Sequence, residues 1–360
     1  MNDYFELDFL EAGENKSGDA ILFRYGDHDT GTQTIHVIDG GYTDDGARLE
    51  SLLTEFYGEP SRIDNVVLTH PDGDHAKGLV QILNNYEVGA LWMNRPWLYV
   101  DELMSRFEYP YTRDGLIKKL KEAFNHTAEL ERIALSKNVT IMPVFQGAQI
   151  GQFRVLSPTK NLYLDLVVNS DRTPEPETEK TFAERLASGL TKAFNYVVKQ
   201  WGEENLKGEA EGTSEENEMS VVQYAEIRGE KILLTADAGI INLRQAYDYA
   251  ISIGINLPGV DRFQVPHHGS RRNLSSEILD LWLGTKKQAR DEHTVFTAII
   301  SANEKDEDHP RKDVVRAMHH RGGKVFSTEG KDSMRSSNNA SVRPTYRETV
   351  SVDYPEESEE

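Results

Sequence analysis

His70-Pro71-Asp72-Gly73-Asp74-His75 directly follows the apolar run Val66-Val67-Leu68. A short strand that stops at a Pro/Gly turn delivers its polar side chains together at a sheet edge. Imidazole and carboxylate together suit a divalent ion of the zinc, manganese or iron kind. Two of each, so close in the chain, exceed what one four-coordinate ion needs. The stretch therefore predicts two ions and metal-dependent hydrolysis.

The chain around it has 360 residues, enough for one large domain with insertions or for two smaller ones. No apolar run reaches transmembrane length, and the N-terminus is acidic without a basic-then-apolar signal pattern. A cytoplasmic protein without membrane contact is expected. There is no cysteine, so any metal must be held by His, Asp and Glu. The net charge of −20 excludes coating of nucleic acid through a bulk positive field. It leaves room for a nuclease whose ions and local cations face the phosphate.

Outward from the motif, the first part reads as short strands at 4–9, 20–25, 34–38 and 63–69. Helical spacing covers 45–57 and 76–86, and another strand covers 88–93. Leu116, Leu120, Phe124, Leu130 and Ile133 suggest one helix. Phe182, Leu186, Leu190, Phe194, Val197 and Trp201 form a stripe at helical spacing. Residues 161–217 read as an insertion carrying one long helix, packed on the parent domain or offered to a protein partner. Strands resume at 220–227 and 231–235, joined by the turn Arg228-Gly229-Glu230. Further strands are expected at 262–265, 294–300 and 323–326, with helices at 240–251, 273–283 and 312–320 between them. One hydrolase domain is assigned to 1–330, and a polar, acidic C-terminal tail to 331–360 with an edge strand at 349–353.

Several of these strands end in ligand-type residues: Asp39, His70, Asp237, and the pair His267 and His268. Neighbouring strand ends place such residues at one rim. The order resembles the metallo-β-lactamase-fold hydrolases, whose signature is H-x-H-x-D-H after a strand. In that family an aspartate precedes the signature, and a later aspartate and a final histidine follow it. Within the superfamily, Leu233-Leu234-Thr235-Ala236-Asp237-Ala238, Val265-Pro266-His267-His268-Gly269-Ser270, and Ser301-x-Asn303 before His309-Pro310 are similar to segments of the ComEC competence proteins. The resemblance covers most of residues 4–330 except the insertion, and the ComEC membrane channel has no counterpart here.

The resemblance implies an α/β fold, the four-layer α/β/β/α metallo-β-lactamase sandwich with a helical insertion. It implies two divalent ions, Mn or Zn, held by His70, Asp72, Asp74, His75, bridging Asp237 and one histidine of the pair, with His267 preferred. Asp39 is as well suited to fixing a ligand histidine as to ligating. His268 or His309 would protonate a leaving group, and Asp74 and Asp237 belong to the reacting centre. Lys77, Arg271, Ser270 and Asn303 fall on the substrate side. Four positions depart from the pattern. Asp72 replaces the second signature histidine, Ala236 replaces a glycine, and Lys77 stands where the subgroup has glycine. Ser157 occupies the slot of a further histidine, which makes the first metal site oxygen-rich and favours manganese.

Plainer readings exist for each residue. The motif could be a polar turn, Asp237 a helix N-cap, Asp39 a turn former, and the cations solvated charge. His28, His36, His126, His293, His319 and His320 lack any such context and read as structural or surface residues. The expected reaction is phosphodiester hydrolysis by a metal-activated hydroxide, with DNA as first substrate. The alternatives are a phosphodiesterase for a cyclic nucleotide or phosphocholine ester, and a regulatory module that retains the fold without turnover.

Overall fold

The computed structural model describes residues 3–108, 110–173, 196–291, 293–337, 340, 343 and 350–359. In chain order the first strands are β1 (Asp3–Phe9), β2 (Ala20–Asp27), β3 (Thr32–Gly40), β4 (Arg62–Val67), β5 (Glu87–Trp92) and β6 (Thr140–Met142). Next come β7 (Gln149–Ile150), β8 (Phe153–Ser157), β9 (Tyr196–Val198), β10 (Val222–Ile227), β11 (Glu230–Leu234), β12 (Arg262–Gln264), β13 (Phe296–Ile300) and β14 (Gly323–Ser327). The last are β15 (Ser333–Ser336), β16 (Ser351–Val352) and β17 (Glu357–Glu359).

Two large mixed sheets result, ordered β15-β1-β2-β3-β4-β5-β6 and β16-β14-β13-β12-β11-β10-β8-β7. Each contains antiparallel neighbours that give way to parallel strands: β3 to β6 in one sheet, β11 to β14 in the other. Alternation along β1 explains the first inner face. Phe5, Leu7 and Phe9 point between the sheets, where they meet Phe153, Val155, Ile232 and Leu234 of the second. The outer faces are covered by helices. Asp45–Phe56, Leu79–Asn85 and Asn125–Ser136 lie on the first sheet. Ile240–Ser252, Ser276–Leu283 and Lys312–His320 lie on the second. The four-layer α/β/β/α sandwich is thus present. Each fully buried Leu, Ile or Phe of these layers contributes roughly 1.5–3 kcal/mol.

Several expected elements differ. The helix expected over 76–86 is two pieces, Gly73–Ala76 and Leu79–Asn85. The break serves a close approach: a Cβ on Gly78 would lie 1.9 Å from the Gly40 carbonyl oxygen. The stripe from Leu116 to Ile133 is likewise divided, into Arg113–Ala123 and Asn125–Ser136, because Phe124 leaves helical geometry with ψ of 50°. The two halves can then pack on different partners. Leu116 and Leu120 join a separate core with Trp97, Tyr163 and Met219, while Leu130 and Ile133 join the first sheet.

Of the proposed insertion stripe, Phe182, Leu186, Leu190 and Phe194 lie outside the described residues. Val197 is not helical but sits in β9, paired antiparallel with β17, and Trp201 packs on His320 and Tyr354. The segment expected as a polar tail supplies β15 to the first sheet and β16 to the second. Polar sequences can do this at sheet edges, where one face stays in solvent. No helix among the described residues is long and apolar enough to cross a membrane.

Candidate metal centre

The strand ends do meet at one rim. β3 ends with Asp39, whose φ is +55°, and β4 runs into Thr69 and the motif turn. β11 leads through Thr235 and Ala236 to Asp237, and β12 leads through Pro266 to His267 and His268. Ala236, His267 and His268 have φ of +47°, +47° and +56°. Left-handed backbone disfavours a Cβ, so these four non-glycine residues hold strain around one site, a recurrent mark of functional centres. It also gives a reason for glycine at the Ala236 position in the resembling segment.

Asp237 is the hub. Its Oδ2 lies 3.5 Å from His75 Nε2, 3.8 Å from His70 Nε2, 3.8 Å from His267 Nε2 and 4.0 Å from His268 Nε2. These separations exceed hydrogen-bond length but match ligand atoms that share an ion, since two donors each ~2.1 Å from a metal lie roughly 3–4 Å apart. Asp72 Oδ2 is 3.9 Å from His70 Nε2, and Asp74 Oδ2 is 3.9 Å from His268 Nε2. Asp74, His75 and His268 form one compact donor group.

The other ring nitrogen of each histidine is engaged. His75 Nδ1 donates to Asp39 Oδ2 at 2.8 Å. Asp39 also accepts from the Thr69 amide at 2.9 Å and from Thr69 Oγ1 at 2.6 Å. Thr69 Oγ1 has thereby spent its proton and can only accept from His70 Nδ1, 3.1 Å away. His268 Nδ1 donates to the Ser301 carbonyl at 2.9 Å. His267 Nδ1 faces Asn273 Oδ1 at 2.9 Å, and Asn273 Nδ2 donates to the Asp237 carbonyl at 2.8 Å, which fixes the amide so that its oxygen accepts. The Nε2 atoms of all four rings face Asp237.

The fit to a cation can be judged from this structure itself. His70 Nε2, His75 Nε2, His268 Nε2 and Asp237 Oδ1 are buried without a hydrogen-bond partner among the described residues. Such orphaned atoms are costly unless something binds them. Charge tells the same story. Burial opposes ionisation of His75, yet Asp237 and Asp39 drive its pKa well above the ordinary imidazole value. Burial would raise Asp237, but His267, His75 and His268 hold it well below the carboxylate range. Burial, with His75 beside it, drives His70 far down, leaving a neutral imidazole. Burial also raises Asp72 to about 6, despite the Arg172 guanidinium. Anion and imidazoles are drawn together, as a divalent ion requires.

Other expected site residues sit differently. His309 stands beside the pair, its ring centroid 5.5 Å from His267, with Nδ1 3.3 Å from Asp306 Oδ2. Arg271, expected on the substrate side, is largely buried and paired with buried Asp313 at 3.5 Å. Ser270 Oγ accepts from the Arg272 amide, which shapes the turn after the pair. Asn303 Nδ2 donates to the Gly13 carbonyl, bracing two loops. Lys77 lies over the Tyr42 ring at 5.7 Å. Ser157 is buried at the end of β8 with its hydroxyl unpartnered among the described residues. Asp237 is no N-cap. The helix Ile240–Ser252 starts later, and Glu218 accepts from the Ile241 and Asn242 amides instead.

Three residues come to the site without a sequence signal. Asp19 is buried beside His75, 4.0 Å from its Nδ1, held by Gln264 Nε2 at 2.8 Å and raised by burial to about 6. Arg172 forms a 2.7 Å ion pair with Asp72. His126, read above as structural or surface, lies against Gly73. Only tertiary packing brings these together, so spacing along the chain holds no trace of them.

Comparison with known proteins agrees with this picture at the level of the superfamily. The family description "Metallo-beta-lactamase superfamily" matches residues 17–135, which span Asp19, Asp39 and the whole motif turn. No curated protein matches the chain. Among solved structures it is similar to the hydrolase AbOPH of the β-lactamase superfamily, at 13% identity and a TM-score of 0.29, over 61% of this chain and 56% of that one. The chain thus spans little more than half the length of that relative. A metallo-β-lactamase-type protein from Thermotoga maritima matches at 12% identity and TM-score 0.30, over 71% and 87% of the two chains. The β-hydroxylase CmlA matches at 14% and 0.31, over 75% and 36%. Residues 17–135 are thus similar to the metallo-β-lactamase superfamily, and the sandwich that displays their motif is consistent with that fold.

Proposed function

We propose that this chain is a divalent-metal-dependent phosphodiesterase, with DNA as its first candidate substrate. The observation that carries the reading is the convergence of four imidazole Nε2 atoms on Asp237 Oδ2, all within 4.0 Å. His70, Asp72 and His267 would hold one ion and Asp74, His75 and His268 the other, with Asp237 shared between them. Such ions supply Lewis acidity at the phosphoryl oxygen and lower the pKa of water toward ~7. The chain's own residues do the rest. Asp39 and Thr69 orient His75 and His70, and Asn273 orients His267. His309, held by Asp306, would give its proton to the leaving oxygen. Asp72 in place of a histidine gives the first site a harder donor set, which supports manganese over zinc.

The test is a panel of single- and double-stranded DNA, RNA and small phosphodiesters, assayed with Mn, with Zn and after chelation, beside Asp74→Ala. Metal-dependent cleavage of DNA that Asp74→Ala abolishes supports the reading. Turnover confined to small diesters moves the substrate to that class, which the net charge of −20 favours over long polyanions. Failure to bind any divalent ion overturns it.

A further inference from the structure

Beside the metal turn lies a small hollow, with Lys77 and His126 in its lining, that the metal chemistry does not use. A point where a Cβ on Gly73 would sit is 2.8 Å from Lys77 Cε, 3.1 Å from Lys77 Nζ and 3.0 Å from His126 Nε2. Glycine at this motif position therefore keeps a gap open between an ammonium and an imidazole. The adjoining cavity, about 140 Å³, is lined by Thr43, Ala76, Lys77, Val80, His126 and Glu129. At ~30 Å³ for one water, that accepts a phosphate group with part of its hydration.

The charges there are unbalanced. Lys77 forms no ion pair among the described residues, and Glu129 is taken by Arg132 through two hydrogen bonds. Arg172 approaches on the Asp72 side, tethered by Asp72 at 2.7 Å and Glu216 at 3.6 Å. His126 stands in the field of both cations: burial first, then Lys77 and Arg172, hold its pKa below the ordinary imidazole value. An ammonium without an ion-pair partner among the described residues, beside an imidazole and with a guanidinium held next to them, suits an anion in a chain of net charge −20. None of the residues lining the hollow is among the donors around Asp237, so it is separate from the metal donors.

We propose that Lys77, His126 and Arg172, around Gly73, form a subsite for a second phosphate flanking the scissile ester. The substrate class is then a phosphodiester with a neighbouring phosphate, as in a nucleic-acid backbone, rather than an isolated diester. This rests on the phosphodiesterase reading above, and the test separates the two. With metal-loaded protein, KM is compared for thymidylyl-thymidine with and without a terminal phosphate. The wild type should prefer the phosphorylated form at least tenfold. In Lys77→Met and Arg172→Met that preference should fall toward unity. In Gly73→Ala, which fills the gap while every charge stays, it should fall as well. Circular dichroism checks that each variant is folded. An equal KM for both substrates in the wild type overturns the subsite while leaving the activity standing, and so does a preference that all three folded variants retain. If no diester is turned over, calorimetric binding of the terminally phosphorylated dinucleotide takes the place of KM. Tight binding lost in the variants supports the subsite on its own, and binding no tighter than that of inorganic phosphate overturns it.

Discussion

Asp39 and His75 are joined by a 2.8 Å hydrogen bond in which the carboxylate fixes the imidazole from behind, while the opposite ring nitrogen faces Asp237 at 3.5 Å. The same carboxylate reaches His70 through the Thr69 hydroxyl. One residue thus aims two histidines. Asp39→Asn can keep the positive φ of this position, which asparagine tolerates, but places an amide where three protons must be accepted. Metal affinity, read by competition with a chelator, should fall ~10–100-fold. Thr69→Val should weaken only the ion that uses His70. Unchanged affinity in both variants would remove the relay from the account.

The consecutive histidines divide. His268 is buried, bound to the Ser301 carbonyl, and close to Asp74, whereas His267 is bound to Asn273 and its side chain is 28% exposed. Two residues in left-handed backbone turn both rings to the same carboxylate. His267 would supply the donor that Ser157 cannot. Metal analysis of His267→Ala should show the loss of about one equivalent, with the other ion still bound by Asp74, His75 and His268. Cobalt substitution followed by absorption gives an independent reading, since removing one imidazole alters only one of two ligand fields. Two equivalents retained in His267→Ala would assign its ring to substrate instead.

The motif was legible because its donors are contiguous. Asp237 and the histidine pair were legible because strand ends share a rim, so distant positions could be added without knowing the strand order. The choice between His267 and His268 was not, because it depends on φ values that no residue type announces. Asp19 stands alone between Gly18 and Ala20, and its importance comes from Gln264 and His75 packing around it. Arg271 has buried Asp313 as a neighbour in space, a pairing that its place after the histidine pair does not announce. The sandwich followed from the family resemblance, while periodicity located most of its strands and helices. The helix breaks at Phe124 and at Lys77-Gly78 did not, since each is imposed by what the segment packs against.

Ala236 gives a stability test of the strain around the site. Its φ of +47° disfavours a Cβ, and its carbonyl accepts from the His267 amide at 3.1 Å, so the backbone cannot relax without moving the histidine pair. Ala236→Gly removes roughly 1–2 kcal/mol of strain and costs ~0.4–1 kcal/mol through the freer unfolded chain. The metal-free protein should gain about 0.5–1 kcal/mol, measurable as a higher urea midpoint at unchanged slope. A lower midpoint would mean that the alanine methyl packs well enough to outweigh its backbone strain.

Far from the site, Glu204 offers a pH test of the second sheet's helical cover. Its carboxylate meets His320 Nδ1 at 2.8 Å, Arg321 Nη1 at 2.8 Å and Ser276 Oγ at 2.6 Å. Burial would raise its pKa, but these partners outweigh it and bring it down to about 2 from 4.5. A depressed folded-state pKa means stability that is fully present above the unfolded value and lost as pH falls toward the folded one. Each pKa unit is worth ~1.4 kcal/mol, so the carboxylate contributes on the order of 3 kcal/mol at neutral pH. Glu204→Gln should destabilise the protein by about that amount from pH 7 down to about 5. Below pH 4.5 the gap to wild type should narrow, because the carboxylate binds its proton in the unfolded wild-type chain before it does in the folded one. Chemical unfolding of both proteins from pH 7 to pH 4 reads this directly, and a gap that widens on acidification would show that Glu204 is not the group being titrated.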